Sequence, residues 1–180
     1  MWLEYELLKH PEYPGVFCIS TSYRNEPNPI PGRHEKIFPM FEFESKGDMS
    51  HLISLESELL THLGLDLPTV YDYEKLAKDY RVDILEAEHE EMMAKDISNS
   101  VIIQHFPERT SPFWNMKHYK DGIFKKVDVI LYGQETIGSA ERATDRDEMR
   151  HYFETISEGG YKDKLYDLFE TSITEINSDN

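Results

Sequence analysis

The sequence predicts an α+β fold, an antiparallel β-sheet flanked by helices. Apolar strand-like runs are interleaved with amphipathic helical stretches, and the prolines and short hairpin-like spacings suit antiparallel pairing better than a wound parallel sheet. The composition supports one ordinary domain: 180 residues, 39% hydrophobic and 12% aromatic, with no internal repeat or low-complexity tract. Residues 1–180 are therefore read as a single domain.

The same numbers exclude several classes of protein. One cysteine, Cys18, leaves neither a disulfide framework nor a four-thiolate zinc site and favours a reducing compartment. No apolar run reaches membrane-spanning length, and Met1 to Glu6 has neither the basic start nor the apolar middle of a signal peptide, so a cytoplasmic location without membrane attachment is expected. A net charge of −16 repels phosphate backbones, which argues against DNA and disfavours RNA as a partner.

Along the chain, Leu3, Leu7 and Leu8 suggest a short helix ending at Pro11, and the Pro14-Gly15 turn opens a strand from Val16 to Ile19. Three prolines between Asn25 and Gly32 make that segment a stiff loop. A second strand, Ile37 to Phe43, completes an antiparallel pair around it. Asp48 can cap a helix whose Leu52, Leu55, Leu59 and Leu63 recur at helical spacing up to Gly64, and which should cover the sheet. Tyr71 to Tyr80 and Ile84 to Lys95 read as charged helices, Val101 to Phe106 and Val127 to Tyr132 as buried strands. Helices over Asp145 to Ser157 and Tyr161 to Ile173 follow, then a tail, Asn177 to Asn180, expected to fray.

Two stretches could carry chemistry. Around the proline loop, Arg24 and Glu26 lie two apart and can share a strand face, with Arg33, His34 and Phe38 returning to the same end. Guanidinium for phosphate, carboxylate for an exocyclic amine and an aromatic ring for a base suit a nucleotide. Taken residue by residue, a surface ion pair with core aromatics is the favoured account. The second stretch runs from Asp128 at a buried strand through Gly133 to Glu135 and Arg142. Its two acids could hold Mg²⁺ while phosphates and water complete the shell, or could simply end a strand before a tight turn. His89-Glu90-Glu91-Met92-Met93 lacks the second histidine of a zinc-protease helix, so Glu86 to Glu91 reads as a solvated acidic face. No Gly-x-Ser-x-Gly or phosphate-loop motif occurs, and Cys18 reads as a small core residue.

Taken together, Arg-x-Glu, a loop, and Arg-His-x-x-x-Phe-x-Met-x-Glu-x-Glu resembles the second signature motif of class II aminoacyl-tRNA synthetases, nearest the aspartyl, asparaginyl and lysyl subclass. Asp-x-x-x-x-x-x-Glu followed seven residues later by Arg resembles the segment before that family's third motif. Between them, His105-Phe106-Pro107 and Phe113-Trp114-Asn115-Met116 resemble a strand ending in an aromatic-Pro pair and the aromatic segment after it, in the family's order.

The resemblance implies a fold and a set of roles. Arg24 would grip the α-phosphate of ATP and serve as the catalytic cation, Glu26 would bind the adenine amino group, Arg33 and His34 would face the outer phosphates, and Phe38 would stack on adenine. Asp128 and Glu135 would bind Mg²⁺, and Arg142 would grip the amino-acid side chain. It implies ATP-dependent activation of aspartate or asparagine through an aminoacyl-adenylate, and a homodimer for the complete protein. It also implies a core incomplete at both ends, because the family's dimer-interface elements, its amino-acid-binding loop and its third motif find no counterpart here. Alternatives within the resemblance are a tRNA-independent enzyme that makes asparagine from aspartate and ammonia, and a non-catalytic nucleotide-binding or regulatory paralogue or fragment. The proline loop, Pro27 to Gly32, has no basic residue for an acceptor stem, so tRNA is the less favoured partner.

Overall fold

The computed structural model describes residues 2–25, 27, 29–160, 162, 163 and 166. Contacts divide the chain into two compact units, Met1–Asp48 and Met49–Asn180. The helix expected over Tyr161 to Ile173 and the frayed tail lie largely or wholly outside the described residues, as does Glu26. Among the described residues no helix is long and apolar enough to cross a membrane.

The first unit contains helix α1 (Trp2–Lys9) and strands β1 (Gly15–Tyr23) and β2 (Ile37–Ser45). The strands pair antiparallel from Gly15 opposite Ser45 to Tyr23 opposite Ile37, so the expected hairpin forms and is longer than the apolar runs alone suggested. Ladder pairing extends it, since alternating polar residues such as Ser20 and Ser22 keep the β register although they interrupt the apolar pattern. The α1 leucines do not share one face: Leu3 and Leu7 are half-buried, whereas Leu8 is exposed, being one residue out of the i, i+4 row.

The second unit is built on a five-stranded sheet: β3 (Thr69–Asp72), β4 (Ser100–Pro107), β6 (Ile123–Leu131) and β5 (His118–Lys120) in that order, with β7 (Gln134–Ala140) also paired to β6. All pairings are antiparallel except β3 with β4, which is parallel. Helices α2 (Met49–His62), α3 (Tyr73–Tyr80), α4 (Ala87–Asp96) and α5 (Arg146–Thr155) surround it. Val101, Ile103, Phe106 and Ile130 pack with Tyr73, Leu76, Ala77 and Met93 from α3 and α4. Ile102, Val127 and Val129 pack with Met49 and Leu60 of α2. Both faces of β4 and β6 are thus covered, which is why their sequences read as near-continuous apolar runs.

Three expectations need correction. Tyr71 and Asp72 belong to β3, and α3 starts only at Tyr73, because Asp72 is extended (φ −76°, ψ 139°). In α2 the buried face is Met49, Glu56 and Leu60 rather than the row ending in Leu59 and Leu63, which are exposed. Strands β5 and β7 were not foreseen: β7, Gln134-Glu135-Thr136-Ile137-Gly138-Ser139-Ala140, offers a single large apolar residue to a periodicity reading.

Two devices hold β6 and β7 in place. Tyr132 and Gly133, at φ 51° and 83°, form a two-residue turn that sets Leu131 opposite Gln134. On the far side, Glu141 accepts hydrogen bonds from Lys117 Nζ (2.6 Å), Lys125 Nζ (2.7 Å) and the Met49 N–H at the start of α2 (2.9 Å). Burial alone would raise the Glu141 carboxyl, but these donors outweigh it and hold it at about 2.

Replacing Gly133 with Ala should cost ~2 kcal/mol or more in a urea titration, because positive φ strains any L side chain and the new Cβ would meet Glu91 Cα at 2.9 Å. Because the folded Glu141 value lies below its ordinary 4.5, its stabilisation is present above about pH 4.5 and is lost as pH falls through about 2. Glu141→Gln should therefore be less stable than the parent by roughly 2 kcal/mol at pH 7. Denaturation curves should show that deficit shrinking steadily below pH 4.5.

Candidate functional site

In the first unit the site residues sit where the ladder meets the loop. Arg24 N donates to Lys36 O (2.9 Å), one step past the last strand pair. Alternation then puts the Arg24 side chain on the face of Ser22 and its partner Phe38. The guanidinium lies 5.4 Å from the Phe38 ring centroid, a cation–π contact. Arg33 N (3.1 Å) and His34 N (2.9 Å) both donate to Ile30 O, folding the loop back, and the Ile30 N–H points at His34 Nδ1 (3.3 Å). Arg33 and His34 are half-buried and Arg24 is exposed. An open depression here is lined by Pro29, Pro31, Gly32, His34, Lys36 and Ile37.

In the second unit the acids are brought together by the β6–β7 hairpin. Asp128 lies opposite Gly138, and Glu135 lies opposite Ile130 beyond a register shift. A β-carbon at Gly138 would stand 3.0 Å from Glu135 Oε1 and 3.6 Å from Asp128 Oδ1, so both oxygens border the same small space, which a side chain would fill. Asp128 is only 5% exposed. Its Oδ2 is held by Lys126 Nζ, while its Oδ1 is buried with no hydrogen-bond partner. Burial lifts the Asp128 carboxyl to about 7 against the attraction of Lys126, and the charges of Glu135 and Glu90 add to the rise.

Such a pair fits a divalent cation. The orphaned Oδ1 lacks the compensation a buried carboxylate needs, and the glycine leaves room for an ion between the two acids. Among the described residues no three His, Cys, Asp or Glu side chains form a metal cage, so phosphate and water oxygens would have to complete the shell, which suits Mg²⁺. Ser139 cannot join in from this side: its hydroxyl points through the sheet to buried Glu56, donating to Oε1 at 2.6 Å.

Arg142 follows β7 in a bridge with Met116, and its Nη1 donates to Asn115 Oδ1 (3.1 Å). Asn115 is 2% exposed and accepts Ala143 N through its carbonyl (2.9 Å), so the Phe113–Met116 segment positions the guanidinium. The acidic stretch Glu86 to Glu91 is not simply solvated. His89 is buried and caps α4 by accepting Glu86 N at Nδ1 (2.9 Å), and Glu90 Oε2 accepts Glu135 N (2.9 Å). Sequence reasoning missed Lys126, Asn115, Glu90 and the spatial role of Gly138. Of these only Lys126 carried a signal, being two residues before Asp128 on a strand.

The strands and helices of this chain form a class II aminoacyl-tRNA synthetase catalytic fold. An asparaginyl-tRNA synthetase from Pyrococcus horikoshii complexed with asparaginyl-adenylate superposes with a TM-score of 0.72 at 17% identity, covering 84% of this chain and 42% of that one. An aspartyl tRNA synthetase from Entamoeba histolytica gives 0.70 at 17% identity, covering 89% and 42%. An Entamoeba histolytica asparaginyl-tRNA synthetase in complex with asparaginyl-adenylate gives 0.68 at 19%, covering 85% and 42%. The chain thus spans about two fifths of the length of these synthetases. No curated protein sequence matches it. Residues 7–176 match the family of class II tRNA synthetases for D, K and N, and the chain belongs to that family.

Gly138→Ala should leave the fold within about 1 kcal/mol of the parent, since Gly138 is not at positive φ and the closest neighbour is the end of a flexible side chain. It should weaken Mn²⁺ binding, followed by paramagnetic resonance, by about tenfold or more. Unchanged affinity would show that no ion occupies this space.

Proposed function

We propose that this chain carries part of a core that activates an amino acid with ATP, aspartate or asparagine being favoured. The observation that carries the reading is the Asp128–Glu135 pair, with one buried oxygen left uncompensated, in a chain of this family. In the step, a carboxylate oxygen of the amino acid attacks the α-phosphorus, the bond to the β-phosphate's bridging oxygen breaks, and pyrophosphate leaves with the electron pair. Arg24 neutralises charge gathering on the α-phosphoryl oxygens, and Arg33 and His34 meet the outer phosphates. Phe38 offers its ring to adenine and Glu26 accepts from the adenine amino group. Arg142, held by Asn115, presents a fork to the substrate's side-chain carboxylate or amide. Asp128 and Glu135 would hold Mg²⁺, which when bound supplies charge neutralisation for the leaving pyrophosphate. The reading takes a homodimer as the state of the complete protein.

A net charge of −16 and a proline loop without a basic residue favour a second version, in which the adenylate passes to ammonia and gives asparagine without tRNA. ATP–pyrophosphate exchange with aspartate, asparagine and lysine tests the common step, and ammonia against tRNA as acceptor separates the versions. Arg24→Ala should lower exchange by about 10²–10³. Thermal stabilisation by Mg·ATP without exchange would favour a nucleotide-binding module, and absence of both would overturn the proposal.

A further inference from the structure

The two oxygens of Asp128 face different surroundings. Oδ1 borders the space at Gly138 shared with Glu135 Oε1, whereas Oδ2 is taken by the ammonium of Lys126. Lys126 is two residues earlier on β6, hence on the same face, and is opposite Ala140 as Asp128 is opposite Gly138. Neither partner carries a side chain that reaches over the strand, so the lysine can lie along it. Its ammonium also sits 4.1 Å from the centroid of the buried Phe106 ring, whose face favours a cation. Half-buried, with 22% of its side chain exposed, Lys126 is a built neighbour of the acids rather than a passing surface contact.

We propose that Lys126 is a resident counter-ion that competes with a divalent cation for Asp128, so that the site takes a metal ion bound to a polyphosphate in preference to the free ion. The proposal rests on the reading of Asp128 and Glu135 as the metal-holding pair. The charge count gives the reason. At the space itself two ionised carboxylates and one ammonium leave a single net negative charge, with Glu90 a further negative charge behind Glu135, so the lysine cancels part of what the acids offer a dication in a half-buried place. A free dication must therefore displace the lysine from Oδ2 or bind beside an uncompensated positive charge. A nucleotide brings phosphate oxygens that restore the balance, and a displaced ammonium on its flexible four-carbon stem can turn to them. Lys126 is in this sense a specificity-determining residue acting on the metal's affinity.

The test is Mn²⁺ binding to the 180-residue chain at pH 8.5, read by paramagnetic resonance of the free ion, without nucleotide and with a non-hydrolysable ATP analogue. Lys126→Gln should tighten nucleotide-free Mn²⁺ binding about tenfold and narrow the difference between the two conditions, as removal of one contacting charge requires. Lys126→Arg, which keeps the charge, should stay close to the parent. Lys126→Met, which keeps apolar packing on Phe106, serves in place of Lys126→Gln if the latter melts early by circular dichroism. Equal or weaker nucleotide-free binding in the neutral variants overturns the role of Lys126 while leaving the acidic pair standing. Binding to neither parent nor variant, even with nucleotide, or binding undiminished in Asp128→Asn, overturns the metal-site reading and this proposal with it.

Discussion

A carboxylate buried beside a second carboxylate is the costly interaction around which the larger unit is arranged. Asp128 is nearly enclosed on β6, and its burial together with the Glu135 charge lifts its pKa to about 7. An apolar core gains little from that placement, since a buried carboxylate with one oxygen left unpaired carries its desolvation cost uncompensated. The surroundings are instead fitted to carry it. Lys126 covers one oxygen, Gly138 keeps the other open, and Glu90 on α4 receives the Glu135 N–H and so fixes where the second acid stands.

Strand β7 transmits this arrangement because its two faces do different work. Gly138 faces the acids, whereas the adjacent Ser139 donates to Glu56, a carboxyl buried to 1% exposure and pushed up by that burial. Helix α2, carrying Glu56, is in turn tied at its first residue to Glu141, which directly follows β7. A one-residue slip of β7 would exchange Gly138 for Ser139 beneath Asp128 and break both contacts, so the Tyr132-Gly133 turn that sets the register is as important to the site as the acids.

The fold class was legible because its strongest signals are local. The prolines between Asn25 and Gly32 and the apolar runs of β4 and β6 report backbone constraints that no tertiary context overrides. Strand β7 was not legible, as its residues are small or polar and it is held by register and turn rather than by burial. The same distinction separates the site residues. Asp128, Glu135 and Arg142 were singled out through their spacing, and the structure brings the first two to one space. Asn115 and Glu90 act through contacts from distant segments, so their roles have no sequence period. Helix α2 shows a subtler failure: four leucines outweighed Glu56 in the periodicity, although the buried face runs through the glutamate.

The two groups of candidate residues are held by different physics. The acids are fixed by a packed core, by backbone pairing on both sides and by a turn of defined geometry. Arg24 is fixed by one ladder step and a ring contact on a two-stranded ribbon, a structure that is marginal by itself, and its neighbouring helix α1 buries no residue. Donors that stabilise a transition state work best when their orientation costs nothing at the moment of reaction. In the proposed reaction the metal-binding acids meet that condition from the fold alone, whereas the cation for the α-phosphate must gain its order from bound nucleotide or from further protein. In that proposed reaction the ordering cost falls on the proline loop hairpin, and its three prolines each remove backbone freedom before a ligand has to.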